Sequence, residues 1–123
     1  MRKLIASLAV LGALAGGLVV GPATPAAQAA GLSDCPSTRL CVWYDAGFTG
    51  SRYQFAGNNL SWHAWGIADD DSSWYNHGTS GQNVHVYKNI NYNTTTICVH
   101  WNVSYASSAV ANDKGSSNLW GGC

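Results

Sequence analysis

Four cysteines, four histidines and a run of three aspartates are the residues of this 123-residue chain whose types could do chemistry. Zinc is not expected, because no Cys-x-x-Cys or His-x-x-x-His spacing occurs among Cys35, Cys41, Cys98, Cys123, His63, His77, His85 and His100. Asp69, Asp70 and Asp71 are adjacent. They therefore do not form a carboxylate pair flanking a substrate at a set separation, as glycoside hydrolysis needs. The histidines and serines lack a Gly-x-Ser-x-Gly elbow to expose a nucleophile. No phosphate-binding loop is present, so an enzyme is not expected. Three successive carboxylates repel one another, and a bound cation would relieve that repulsion. The plainer account is a solvated acidic loop.

The cysteines then read as structural. Arg2 and Lys3 precede an uncharged stretch from Leu4 to Val20, and Ala27-Gln28-Ala29 offers a small-x-small cleavage site. That is the layout of a secretory leader, expected to span 1–29 and to leave a single domain over 30–123. Export places the four cysteines in an oxidising compartment, where two disulfides form. Three pairings are open. Cys35 and Cys41 enclose only five residues and suit a local staple, which would leave Cys98 with Cys123.

The elements that must hold these residues are legible from composition. After position 29 the basic residues are Arg39, Arg52, Lys88 and Lys114, and the acids are Asp34, Asp45, Asp69, Asp70, Asp71 and Asp113. The balance is 4 − 6 = −2, so no basic face exists for nucleic acid. The same region is rich in Gly, Asn, Ser, Thr, Tyr and Trp and holds no Glu, which disfavours helices. Leu40–Tyr44, Arg52–Ala56, Asn83–Tyr87 and Thr94–His100 are expected strands. Gly47, Gly50, Gly57, Gly78 and Gly81 punctuate the first half. An all-β sandwich follows.

The chain also compares with itself at an offset of 44. Trp43, Phe48 and Gly50 fall on Tyr87, Tyr92 and Thr94, and Val42 falls on Val86. Asp69, Ser72 and Ser73 fall on Asp113, Ser116 and Ser117. Such periodicity indicates two copies of one unit, each needing the other to bury its apolar face. In each unit two rings can meet over a tight turn, where Gly tolerates φ > 0.

An aromatic, four residues, an aromatic, then x-Gly resembles the βγ-crystallin Greek key. This resemblance implies a disulfide-stapled sandwich of two Greek-key motifs. Asn112-Asp113-Lys114-Gly115-Ser116-Ser117 is similar to that family's calcium motif, and Ala68-Asp69-Asp70-Asp71-Ser72-Ser73 keeps its second acid and both serines. The implied calcium set is Asn112, Asp113 and Ser116, with Asp69 and Ser72 serving the first copy. Calcium is an optional ligand on this account, and no cofactor is required.

Cys35-Pro36-x-x-x-Leu40-Cys41-Val42-Trp43-Tyr44, Asp71 to Thr79, and Val84 to Val99 resemble the secreted bacterial peptidase inhibitors of the Streptomyces metalloproteinase inhibitor type. The resemblance implies an extracellular monomer whose partner is a thermolysin-like metalloprotease, blocked by a rigid, slowly cleaved, substrate-like loop. It involves neither nucleic acid nor, after leader removal, a membrane. Its reactive bond falls on Cys98-Val99, flanked by His100 and Trp101. The typical inhibitor closes that loop with a second Cys five residues on, where this chain has Val103. A different class of function is a non-inhibitory module that binds calcium or cell-wall glycan. Trp62, Trp65, Trp74, Trp101 and Trp120 would form the sugar-stacking platform, although most Trp in a small β domain serve the core.

Overall fold

The computed structural model describes residues 31–123. The expected leader, 1–29, lies outside the described residues. Among the described residues seven strands run in the order β1 (Arg39–Asp45), β2 (Thr49–Phe55), β3 (Ser73–His77), β4 (Val84–Asn89), β5 (Asn93–Val99), β6 (Ser104–Tyr105) and β7 (Ser117–Trp120). They form two antiparallel sheets, ordered β2-β1-β3-β6 and β5-β4-β7. Among the described residues no helix is long and apolar enough to cross a membrane.

The sheets interlock. β6 belongs to the second half of the chain but pairs with β3 of the first. Reciprocally, Asn59 of the first half makes an antiparallel bridge to Asn118 on β7. Each half thus lends its third segment to the other half's sheet, the exchange that defines a Greek-key pair. The offset of 44 is realised in space. β2 begins at 49 and ends at 55, and β5 begins at 93 and ends at 99. The register pair Asp45–Thr49 has its counterpart in Asn89–Asn93.

Alternation along the strands explains burial. Leu40 and Val42 point inward to a core that includes Phe55, Trp62, Ile67, Trp74, Val84, Val86 and Val99. The intervening Cys41 and Trp43 face the other way, yet are buried too, in a second cluster with Cys35 and Phe48. The Cys35–Cys41 disulfide sits within that cluster, and Cys98–Cys123 ties β5 to the chain end. Two fully buried tryptophans keep their N–H groups satisfied. Trp62 Nε1 donates to Asn118 Oδ1 (2.8 Å), and Trp74 Nε1 donates to Asp71 Oδ2 (2.9 Å).

The two folded hairpins are built alike. Trp43 meets Phe48 edge-on with centroids 5.2 Å apart, and Tyr87 meets Tyr92 at 5.8 Å, tilted. Phe48 (φ 61°) and Tyr92 (φ 59°) both take the left-handed conformation, as do Gly50 (79°) and Thr94 (64°). What holds such turns is a buried serine in each copy. Ser73 Oγ donates to Asp45 O (2.8 Å) and accepts from Phe48 N (3.1 Å). Ser117 Oγ donates to Asn89 O (2.7 Å) and accepts from Tyr92 N (3.3 Å). Four anticipated strands match β1, β2, β4 and β5, whereas β3, β6 and β7 were not foreseen. Ser-Trp-Tyr-Asn-His and Ser-Asn-Leu-Trp carry no β-branched run, and their pairing is set by partners distant in sequence.

Ser73→Ala and Ser117→Ala should each lower stability by about 1–3 kcal/mol, since each removes a buried hydroxyl that bonds one carbonyl and one N–H of its turn. Denaturant melts of the two variants should give similar losses. A loss in one and none in the other would show that the hairpins are not equivalent.

Candidate functional site

The end of β5 and the turn after it carry the residues singled out for inhibition. Val99 is the last residue of β5 and is fully buried in the core, paired in register with Val84. Its carbonyl accepts from Asn76 Nδ2 (3.0 Å). For the Val99 side chain to enter a protease pocket, the end of β5 must first leave the core. Cys98 is half-buried, with its Sγ 3.7 Å from His100 Nδ1. Beyond Val99 the chain emerges. Trp101 and Val103 are 48% and 40% exposed, and His100 and Asn102 are exposed beside them.

This segment is a tight turn. Val103 N donates to His100 O (3.1 Å), with Asn102 at φ 60°. It is braced from three sides. Asn102 N donates to Asn76 O (2.9 Å), and Asn76 N donates to Val103 O (3.2 Å). Trp101 N donates to Asn83 Oδ1 (2.9 Å), and Trp101 Nε1 donates to Gly78 O (2.8 Å). No disulfide closes the turn on itself, because Cys98 pairs with Cys123. The bracing residues Asn76, Gly78 and Asn83 were not anticipated from the sequence. A signal existed: an Asn inside the strand Ser-Trp-Tyr-Asn-His is a polar group that must find partners once buried.

The residues considered for calcium are arranged across the two copies. Asp69 Oδ1 accepts from Ser116 Oγ at 3.2 Å, and Asp69 N donates to Gly115 O (2.8 Å). These two line a surface depression with Ser61, His63, Lys88 and Ile90. The offset relates Asp69 to Asp113 and Ser72 to Ser116, so the matching pair on the other side is Asp113 with Ser72. Asp69 and Asp113 both have φ 59°. Asn112 is exposed, and its N–H donates to Ser108 O (2.9 Å). A hard cation needs several oxygens, and the Asp69–Ser116 side supplies one carboxylate and one hydroxyl. The remainder would have to be backbone carbonyls or water. Among the described residues no three His, Cys, Asp or Glu cluster as a metal set.

Asp71 does something else. It is fully buried. Its Oδ1 accepts from the N–H groups of Gly115 (2.8 Å) and Lys114 (3.1 Å), and its Oδ2 accepts from Trp74. The acidic run is therefore partly a structural joint between the copies. The proposed tryptophan platform is not formed. Trp62 and Trp74 are fully buried and Trp120 is largely covered, which leaves only Trp65 and Trp101 of the five well exposed.

The chain's fold is shared with several solved structures. One, from work on the evolution of the eye-lens βγ-crystallin domain fold, is 17% identical over 72% of this chain and 91% of that chain, with a TM-score of 0.63. A βγ-crystallin from Ciona intestinalis is 14% identical over 67% of this chain and 98% of its own, at a TM-score of 0.58. An archaeal βγ-crystallin is 17% identical over 69% and 99%, at 0.56. Such identities speak for the fold alone: a βγ-crystallin-like sandwich. No curated protein matches the chain. The model of peptidase inhibitor family I36 matches residues 28–99, which is 99 − 28 + 1 = 72 of 123 positions, and the chain belongs to that family. Its role is accordingly protease inhibition, and its partner a protease. The match ends at Val99, just before the exposed turn.

Burial pushes the Asp71 carboxyl above its ordinary value of 3.8, against the opposing N–H groups of Gly115, Trp74, Asp71 itself and Lys114. Between 3.8 and the raised folded value, the folded protein keeps a proton that the unfolded chain has released. This group's contribution is therefore fully present below 3.8 and is lost as pH rises through the folded value. Asp71→Asn should cost about 1–3 kcal/mol, because one buried N–H then faces an amide NH₂. In paired melts from about pH 3 to about pH 7, the advantage of the parent over Asp71→Asn should shrink as pH rises. A difference that is flat with pH would refute the raised carboxyl.

Proposed function

We propose that the protein acts outside the cell as an inhibitor of thermolysin-like metalloproteases, binding the enzyme rather than turning over a substrate of its own. The observation that carries this reading is the braced, exposed turn from His100 to Val103 beside the Cys98–Cys123 disulfide. A loop already held in one shape loses little entropy on docking, so more of its contact energy appears as affinity. Trp101 and Val103 give the turn two apolar side chains. A thermolysin-like site sets an apolar pocket next to a zinc ion with an open water position.

Cys98-Val99 remains the proposed reactive bond on this reading, and its placement gives a physical reason for slow cleavage. Val99 must first leave the core, at a cost of about 1.5–3 kcal/mol for its side chain alone. His100 and Trp101 are the standing contacts, available before any such opening. Trp101→Ala should weaken inhibition of a thermolysin-like protease by about tenfold or more, in line with loss of an aromatic anchor. The melting temperature should fall only modestly: half of Trp101 already faces solvent, and the side chain gives up one hydrogen bond, Nε1 to Gly78 O. Titration of the protease with folded protein checks this, and unchanged inhibition would remove the turn from the interface. Mass spectrometry of the incubated complex would show whether the bond after Cys98 is nicked.

A second reading is favoured by the Asp69–Ser116 contact across the copies: weak calcium binding that clasps the two halves. Calcium at millimolar levels should then raise the melting temperature by mass action, and Asp69→Ala should abolish the rise. The absence of any calcium-dependent shift in the parent would remove this site.

A further inference from the structure

We infer that Asn76 and Asn83 are positioning residues for inhibition: together they hold the His100–Val103 turn in its docking shape. The inference rests on taking that turn as the protease contact. Asn76 lies in β3, fully buried, with its polar groups spent on three neighbouring segments. Its Nδ2 donates to Val99 O (3.0 Å) and to Gln82 O (2.9 Å). Its Oδ1 accepts from Gly78 N (3.0 Å). Its backbone N–H donates to Val103 O, and its carbonyl accepts from Asn102 N. One residue therefore grips the chain immediately before the turn, at Val99, and again inside it, at Asn102 and Val103.

Asn83 grips the turn from the opposite side. Its Oδ1 accepts from Trp101 N (2.9 Å), while its Nδ2 donates to Cys123 O (3.0 Å). Its own carbonyl accepts from Gly121 N (2.7 Å). The exposed turn is thereby coupled to the terminal segment that the Cys98–Cys123 bond fastens. Both asparagines act through backbone groups of the turn and neither is exposed, so they serve by fixing Trp101 and Val103 rather than by touching the enzyme.

The test uses Asn83→Ala and Asn76→Ser in the complete secreted protein, with three measurements on each. These are amide hydrogen exchange, inhibition of a thermolysin-like protease, and mass analysis of cleavage within 99–103, all well below each variant's melting temperature. Asn83→Ala should speed exchange at Trp101 by about three- to tenfold, the size expected for one lost hydrogen bond. It should weaken inhibition by a similar factor and make the turn cleavable, while exchange in β1 and β2 stays unchanged. Asn76→Ser keeps the backbone bonds to Asn102 and Val103 but loses the side-chain bonds to Val99 O and Gln82 O, so it should loosen the chain entering the turn and weaken inhibition by a similar factor. If Asn76→Ser does not fold, Asn83→Ala decides alone. Unchanged exchange at Trp101 overturns the inference, as does faster exchange spread evenly over all strands, which marks a merely structural role. If Trp101→Ala loses inhibition but a folded Asn83→Ala variant with a loosened turn keeps it, positioning fails while the contact stands. If Trp101→Ala keeps inhibition, the contact itself fails.

Discussion

Neither half of this chain can finish its own sheet. The β6 segment completes the first half's sheet, and Asn59 reaches across to β7 to extend the second. Everything else depends on this exchange. It forces the two copies to fold together and buries Val42 against the same core as Val86. It also carries the chain from β5 back across the molecule through His100–Val103 to reach β6. The turn is exposed because the crossing must leave one sheet and enter the other. It is braced because the strands on both sides of the crossing are already committed, and Asn76, Gly78 and Asn83 bond to it.

The two serine hydroxyls make that exchange affordable in backbone terms. Four non-glycine residues in and around the hairpins hold positive φ, including Phe48 and Tyr92. L-residues resist this conformation by about 1–2 kcal/mol each. Ser73 and Ser117 answer the strain with paired hydrogen bonds into both ends of each turn. Thr94 stands where the first copy has Gly50, and it keeps a similar φ without glycine's freedom. The local preference of the residue yields there to the surrounding ladder.

Much of this was legible from spacing. The offset of 44 placed Trp43, Phe48, Tyr87 and Tyr92 in matching corners, and the structure puts them there. The short separation of Cys35 and Cys41 suited a local bridge, which forms. What spacing could not show was which partner each residue would find across the interface. Asp69 was grouped with Ser72 within one copy, but its contact is Ser116 in the other, because the copies face each other. The resemblance makes Val99 half of a reactive bond, yet strand alternation from Ile97 turns it into the core. Asn76 gave only the weak signal of an amide among strand residues, and Asn83 gave none. Their roles arise from carbonyls and N–H groups at Val99, Trp101 and Val103, which no pattern of side chains records.

Asp71 and Gly115 occupy the same place in the two copies, since 71 + 44 = 115, and they touch: Gly115 N donates to Asp71 Oδ1. Residues related by a twofold can meet only near the axis itself. A side chain at 115 would run into the Asp71 carboxylate and the Trp62 ring. Two identical repeats would place there either a pair of acids face to face inside the protein, or two glycines with no acceptor for the N–H groups of Lys114, Gly115 and Trp74. A duplicated ancestor could reach this packing only by letting its twins diverge at the hinge of their own symmetry, one keeping the acid and the other giving up its side chain.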